Sequence, residues 1–267
     1  MTGKHIVCFS GGEGSALAAI EVSRRFGNGD LILLNHDICP QVEDADVKRF
    51  KRDVASYLDV PITYANHLEW ETKDQFDVVV EAGAFKVGTG TALCTNRLKT
   101  EPFFRWLEFH KPDLTCTVYY GFGSSERSRI QRRDSILAAM GYRAGFPLLW
   151  ERTIQSTREI GVEPPLTYAV FNHANCVGCL KAGMQHWYIV YCTRPDIWQK
   201  GLWAEDEIGY SIIKGHFLAD LEPKFERMKA LGIEATEKIP AATFWARAKK
   251  ILGAEEEQPH LPCDCAA

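Results

Sequence analysis

The first 64 residues alternate short apolar runs with stretches in which apolar residues recur at helical spacing. The apolar runs cover residues 4–9, 31–35 and 61–64, and the clearest helical stripe covers residues 45–58. Short buried runs separated by helical stripes predict a β-α-β-α-β order, which is typical of a parallel sheet covered by helices on both faces. We therefore predict an α/β fold with a doubly wound, mostly parallel sheet.

Further elements follow with less regular spacing. The pattern fades between residues 69 and 91, where Gly83, Gly88 and Gly90 predict a mobile loop. Pro102 suits the first turn of a helix. Residues 116–120 form another apolar run, and the helix expected after it ends near Met140, because Gly141 is a typical C-terminal stop.

The length of the chain, 267 residues, exceeds that of one minimal α/β unit. Beyond Pro164 the composition changes to helical patterns rich in Trp and Tyr. We therefore predict an α/β domain over residues 1–163 and a mainly helical extension over residues 164–267 that ends in a loosely ordered tail.

A glycine-rich segment joins the first apolar run to the first helical stripe. Glycines let a chain turn tightly and approach a phosphate, while amide N–H groups at a helix N-terminus supply positive potential. No Lys follows the last glycine, so the segment is not a Walker A loop, and its spacing is not G-x-G-x-x-G. The segment predicts an anion site, with an ordinary strand-to-helix turn as the alternative. Its candidate residues are Ser10, Gly11, Gly12, Gly14 and Ser15.

Polar residues also follow the second and fourth predicted core strands. Ligands of parallel sheets bind outside the carboxyl ends of the strands, so Asp37 is expected to contact a ribose or to hold Mg²⁺, unless it is a solvated loop carboxylate. After the later strand, Arg129 offers a guanidinium fork that can bind phosphate or sulfate bidentately. We assign Arg132 and Arg133 to a solvated basic helix face.

Four segments, in this order along the chain, resemble the phosphoadenosine phosphosulfate reductase family. The Ser10 loop resembles the S-G-G-x-D-S pyrophosphate loop of the adenine-nucleotide alpha-hydrolase superfamily, although Gly14 stands where that loop usually has Asp. The others are the C-x-x-x-L-K segment from Cys94 to Lys99, the G-x-x-x-x-E-x-x-R segment that begins at Gly121, and a C-x-x-C pair. The resemblance spans roughly residues 4–183 and is strongest to divergent phage and prophage members and to DNA phosphorothioation sulfurtransferases.

The resemblance implies a HUP-type, Rossmann-like enzyme that binds an adenine nucleotide, either ATP or phosphoadenylyl sulfate, with Mg²⁺. It implies catalytic roles for Lys99, Arg129 and Glu126, and a role in binding the nucleotide for Gly121. In one functional class ATP is split between its α and β phosphates, and an adenylylated acceptor is then displaced by sulfur. In a second class a thiol attacks phosphoadenylyl sulfate, in a reductase or sulfotransferase reaction. In a third, suggested by Gly14, the chain binds a nucleotide without catalysis.

The cysteines are metal or redox candidates, because an odd number of nine in a reducing compartment does not suggest a disulfide framework. The spacing of Cys176 and Cys179 places two sulfurs within reach of one metal ion. With Cys94 they resemble the three-cysteine [4Fe–4S] site of some tRNA thiolation enzymes, and Cys192 or His173 would be the fourth ligand. Zn²⁺ in the same set and unligated thiols are the alternatives.

The chain end carries Cys263 and Cys265 on either side of Asp264. The reductases of the family use a tail cysteine as nucleophile, but their Glu-Cys-Gly-Leu-His motif is missing here. Asp264 would also raise the pKa of its neighbouring thiols, which weakens them as nucleophiles. The missing motif favours ATP over phosphoadenylyl sulfate as the substrate.

The net charge of −4 limits any nucleic-acid contact to a local patch. The sulfur acceptor is expected to be a nucleic acid or a small molecule, and a homodimer is compatible with the sequence. The tryptophans at helical spacing are interpreted as core rather than as a stacking surface. Neither a signal peptide nor a run of about 20 apolar residues is evident, which predicts a cytoplasmic protein with no membrane partner.

Overall fold

A computed structural model describes residues 3–87, 91–110, 114–174 and 176–256. The strands are β1 (His5–Cys8), β2 (Leu31–Asn35), β3 (Ile62–Tyr64), β4 (Lys86–Val87), β5 (Thr91–Ala92), β6 (Thr117–Tyr119) and β7 (Arg143–Gly145). The α-helices are α1 (Glu13–Phe26), α2 (Ala45–Leu58), α3 (Gln75–Glu81), α4 (Leu93–Thr95), α5 (Glu101–His110), α6 (Arg127–Ala139), α7 (Met184–Thr193), α8 (Pro195–Ile208), α9 (Leu218–Ala230) and α10 (Ala241–Glu256).

The central sheet has the strand order β3-β2-β1-β6-β7, and every neighbouring pair is parallel. The chain builds outward from β1 to β3 and then returns to the other side of β1, where it adds β6 and β7. This arrangement confirms the predicted doubly wound, Rossmann-like α/β fold. The strand order reverses between β1 and β6, which is where ligands of such sheets bind.

Alternate residues of β1 point to opposite faces of the sheet, and each face has its own apolar core. Val7 packs with residues of α1 and α2, including Ile20 and Phe50. Ile6 packs on the other face with residues of α5 and α6, including Trp106 and Leu137. Helices therefore cover both faces, as the β-α-β-α-β pattern predicts.

The segment predicted as a mobile loop between residues 69 and 91 contains helix α3, so that prediction was wrong there. Asp74 caps the helix: its carboxylate accepts the N–H groups of Phe76 at 2.7 Å and of Asp77 at 3.2 Å. The Asp77 carboxylate accepts the N–H of Asp74 at 2.9 Å in return, which completes a capping box. Gly88 and Gly90 lie outside the described residues.

The chain divides into two compact units, residues 1–177 and 178–267. The predicted boundary was near Pro164, but the segment that follows is tied to α2 in the first unit. The Asp46 carboxylate accepts the N–H of Leu166 at 2.6 Å, and Arg49 donates to the carbonyl oxygens of Glu163 at 3.1 Å and Pro164 at 3.4 Å.

The second unit contains α7 to α10, around a core of aromatic side chains. Trp187 and Trp198 are buried and their ring centroids lie 6.2 Å apart, which confirms that they are core residues. Trp203 is 39% exposed and is not part of that core. Of the helices in the described residues, none is long and apolar enough to cross a membrane.

Candidate functional site

The glycine loop lies where the sequence predicts, between the carboxyl end of β1 and the N-terminus of α1. The Ser15 hydroxyl donates to the Gly12 carbonyl oxygen at 2.8 Å and accepts the N–H of Ser10 at 3.2 Å. The loop is therefore closed on itself by the side chain of Ser15, while the side chain of Ser10 is exposed.

A glycine is required at position 11 for two reasons. Its φ of +83° lies in the left-handed region, and a Cβ there would come within 2.9 Å of Lys51 Cγ. Among the described residues, no acceptor is bound to the N–H groups of Gly11, Gly12 or Gly14. Three amide donors thus remain at the positive end of a 14-residue helix, as an anion site requires.

The carboxylate of Glu13, the residue between these glycines, is directed to a neighbouring loop. It accepts the hydroxyl of Ser156 at 2.8 Å and the N–H of Thr157 at 3.2 Å. Thr157 begins a 3₁₀ helix, Thr157–Ile160. The negative charge of Glu13 therefore stabilises that helix N-terminus. The N–H of Glu13 donates to the hydroxyl of Tyr168 at 3.0 Å.

Gly14 and Gly121 bring the first and third family-like segments into contact. A Cβ on Gly121 would lie 2.3 Å from the Gly14 carbonyl oxygen and 2.6 Å from the amide nitrogen of Ser15. A Cβ on Gly14 would lie 3.1 Å from the Gly121 carbonyl oxygen. The two backbones approach so closely at the reversal between β1 and β6 that the usual Asp of the loop would be crowded at position 14.

At the carboxyl end of β2, Asp37 belongs to a network of four charged side chains. It pairs with Lys48 Nζ at 2.8 Å and with Lys51 Nζ at 3.1 Å, and Lys51 also binds Glu43 at 3.0 Å. Burial favours the neutral Asp37 carboxyl, but the two lysines outweigh this and lower its pKa. For Glu43 burial prevails and the pKa is raised. The predicted contact of Asp37 with ribose or Mg²⁺ stays a prediction.

Lys51 is a residue that the sequence interpretation missed. Its side chain is 1% exposed and its ammonium group also donates to Asn35 Oδ1 at 3.3 Å. A signal was present, because Val47, Lys51, Val54 and Leu58 follow the spacing of a buried helical stripe. A lysine on such a stripe must be paired, and here it packs beneath the glycine loop.

Glu126 and Arg129, both predicted as catalytic, are paired with each other. Glu126 accepts a hydrogen bond from Arg129 and the N–H of Gly123 at 3.0 Å. The guanidinium carbon of Arg129 lies 4.1 Å from the ring centroid of Phe122, and 62% of the side chain is exposed. Arg129 is thus held against Phe122, the residue after Gly121, while remaining accessible.

Lys99 lies in a π-helical turn, Asn96–Thr100, between α4 and α5. The pKa of His36, at the end of β2, is lowered to about 4, mainly by burial and also by the charges of Lys99 and Arg133, although a hydrogen bond to Ala65 opposes them. The positive charges of Lys99 and Arg133 therefore reach His36, at the carboxyl edge of the sheet.

Arg133 does not lie on a solvated helix face, so that prediction was wrong. It is half-buried, and its guanidinium carbon lies 5.7 Å from the ring centroid of Tyr120. Burial raises the pKa of the nearby Cys8 thiol to about 12, and Tyr120 and Arg133 oppose this rise. Arg132 is exposed, as predicted.

The predicted metal ligands are distributed over both units. Cys94 is buried in the single turn α4 and, like Cys176, belongs to the first unit. In the second unit the N–H of Cys179 donates to His186 Nε2 at 3.3 Å, and His186 Nδ1 lies 3.2 Å from Glu237. The three-thiolate set stays a prediction.

Cys192 lies six residues beyond His186 on α7, or about 9 Å farther along the helix axis. Burial raises the pKa of its thiol, while Tyr188 and Lys229 oppose the rise. The role of Cys192 as a metal ligand stays a prediction. The tail residues Cys263 and Cys265 lie outside the described residues.

Comparison with known proteins finds a weak similarity. The chain is 26% identical over 209 residues to an uncharacterized nin region protein, ORF290, of Escherichia phage lambda. The alignment covers 68% of this chain and 67% of that protein. No protein-family model and no solved structure matches the chain.

The site combines three features that suit a polyanionic ligand. Amides at the N-terminus of α1 have no acceptor among the described residues, the charges of Lys99 and Arg133 act on His36 at the same sheet edge, and the accessible Arg129 contacts Phe122, the residue after Gly121. Donors fixed in position before a ligand arrives stabilise negative charge without reorganisation. The arrangement can bind phosphate groups and stabilise charge that develops on them.

Proposed function

We propose that this protein is an adenine-nucleotide-binding transferase that cleaves ATP between the α and β phosphates and adenylylates an acceptor for sulfur transfer. The close contact of Gly14 with Gly121 carries the proposal. It joins the pyrophosphate-loop-like segment to the segment with Glu126 and Arg129, at the sheet position where nucleotides bind in this fold class. The order of the four family-like segments along the chain gives further support.

In the proposed reaction an acceptor oxygen forms a bond to the α-phosphorus, and the bond from that phosphorus to the pyrophosphate oxygen breaks. The amides of Gly11, Gly12 and Gly14 hold the departing pyrophosphate. Lys99 and Arg129 offset the negative charge that develops on the phosphates. Positioning and fixed positive charge supply most of the catalysis.

The proposed sulfur-transfer centre uses Cys94, Cys176 and Cys179. Three thiolates suit a [4Fe–4S] cluster with one open iron, and with a fourth ligand they suit a tetrahedral Zn²⁺ site. A bound cluster would supply an iron that can hold sulfide.

Iron, sulfide and zinc analysis of anaerobically purified protein tests this centre: we expect iron and sulfide, with loss of both in Cys176→Ser. Stoichiometric zinc would contradict the cluster, and metal-free active protein would contradict the centre.

The nucleotide proposal is tested by Gly12→Val. The φ of −89° and ψ of 154° at Gly12 suit any residue, so valine does not strain the backbone there. Its Cβ would lie 3.3 Å from the Tyr168 hydroxyl and obstruct the approach of a phosphate. We expect ATP affinity by isothermal titration to fall by roughly tenfold or more, and pyrophosphate release to fall with it.

Gly29→Val is the matched control, because Gly29 has open space around its Cβ position and lies between α1 and β2, at the opposite edge of the sheet. It should bind ATP like the wild type. Absence of ATP binding in the wild type, or equal affinity in Gly12→Val, would contradict the proposal. Tighter binding of phosphoadenosine diphosphate than of ATP would favour the phosphoadenylyl sulfate reaction instead.

A further inference from the structure

Tyr168 lies at the glycine loop although it belongs to a distant part of the chain. It stands on the 3₁₀ helix Leu166–Ala169, and its hydroxyl accepts the N–H of Glu13 at 3.0 Å. The same hydroxyl lies 3.3 Å from the position that a Cβ on Gly12 would occupy. A phenol therefore borders the amides to which the proposed function assigns a pyrophosphate.

The segment that carries Tyr168 is anchored to α2 just before the tyrosine and forms a local turn around it. Leu166 donates its N–H to Asp46, and the N–H of Phe171 donates to the Thr167 carbonyl oxygen at 2.8 Å. The Arg49 guanidinium lowers the pKa of Asp46, so this anchor stays ionised at neutral pH. The position of the phenol is thus set by the fold before any ligand binds.

The hydroxyl proton of Tyr168 remains available. Because the oxygen accepts from Glu13, the O–H bond must point away from that amide, and it donates to no acceptor among the described residues. Burial raises the pKa of Tyr168, so the phenol keeps its proton at neutral pH. A hydroxyl whose oxygen accepts a hydrogen bond is also a stronger donor, because successive hydrogen bonds polarise one another.

We propose that Tyr168 is a ligand-binding residue, whose hydroxyl donates to a phosphate oxygen held by the amides of Gly11, Gly12 and Gly14. This inference rests on the proposed function and adds a recognition element from outside the glycine loop. The Glu13 amide then acts through the phenol instead of contacting the ligand directly. The preferred ligand is a polyphosphate, since an anionic oxygen gains most from a polarised donor.

The substitution Tyr168→Phe tests the hydroxyl alone. We expect the affinity for inorganic pyrophosphate and for ATP, measured by isothermal titration with Mg²⁺, to fall by roughly tenfold. Tyr57→Phe is the matched control: Tyr57 is 45% exposed near the C-terminal end of α2. It should leave both affinities unchanged. Thermal melting of both variants reports whether the fold is retained.

Affinity within twofold of the wild type in Tyr168→Phe would overturn the inference and leave the proposed site intact. Tighter binding would overturn it too, because the hydroxyl would then compete with the ligand for the Glu13 amide. If the wild type binds neither ligand, the proposed function itself fails.

A second measurement avoids the loss of the hydroxyl. With a 3-fluorotyrosine label at Tyr168, the fluorine resonance should shift when pyrophosphate is added, whereas a label at Tyr57 should not respond. An unchanged resonance at saturating pyrophosphate would overturn the inference.

Discussion

A contact between two glycines determines the geometry of the candidate site at the residue scale. Gly121 approaches the backbone of Gly14 and Ser15 so closely that even one methyl group cannot be placed there without backbone movement. We expect Gly121→Ala to lower the free energy of unfolding by about 1–3 kcal/mol and to weaken ATP binding, because the glycine loop must shift. Urea unfolding and isothermal titration measure the two effects.

Gly123 provides the control for that substitution. It lies two residues farther along, at φ −90°, with open space around its Cβ position. Gly123→Ala should change the free energy of unfolding by no more than about 0.5 kcal/mol. Equal effects of the two substitutions would show that the contact between Gly14 and Gly121 does not constrain the site.

The residues of the site differ in how far sequence alone could identify them. Gly11 and Gly14 could be found because a glycine-rich strand-to-helix junction has a local physical signature. Tyr168 could not, because its contact with Glu13 depends on how a distant segment is anchored to α2. Lys51 carried a signal in the helical stripe, but its position beneath the loop is visible only in three dimensions.

At the scale of elements, regular and buried segments were predicted best. The predicted helix over residues 45–58 and the predicted strand over residues 31–35 match α2 and β2. β7 was missed because its three residues, Arg143–Gly145, have neither an apolar run nor alternation. α3 was missed because its start is a capping box built from two aspartates, Asp74 and Asp77, within a weakly periodic stretch.

The strand order is stronger evidence for the position of the candidate site than any single motif is. β1 pairs with β2 on one side and with β6 on the other, so the segments that follow β1 and β6 emerge next to each other. Sequence predicts both segments and the parallel sheet, yet it does not predict which strand follows β1 in the sheet. The contact of Gly14 with Gly121 is a direct consequence of that neighbour relation.

At the scale of the whole molecule, each compact unit has its own apolar core. The first unit, residues 1–177, contains all the residues proposed to bind the polyphosphate. In the second unit Phe225 is fully buried, and its ring centroid lies 5.4 Å from that of Tyr188 and 5.8 Å from that of Trp198. Removal of this ring should therefore affect stability and nucleotide binding differently.

We expect Phe225→Ala to lower the free energy of unfolding by about 3–5 kcal/mol, since it leaves a cavity among aromatic rings. ATP affinity, measured well below the melting temperature, should stay within about twofold of the wild type, because the proposed polyphosphate donors all lie in residues 1–177. Phe217→Ala, at a side chain 41% exposed, controls for loss of a phenyl ring and should melt close to the wild type. If Phe225→Ala keeps the wild-type circular dichroism but loses ATP binding, polyphosphate recognition requires the second unit, and the assignment of its donors to the first unit is wrong.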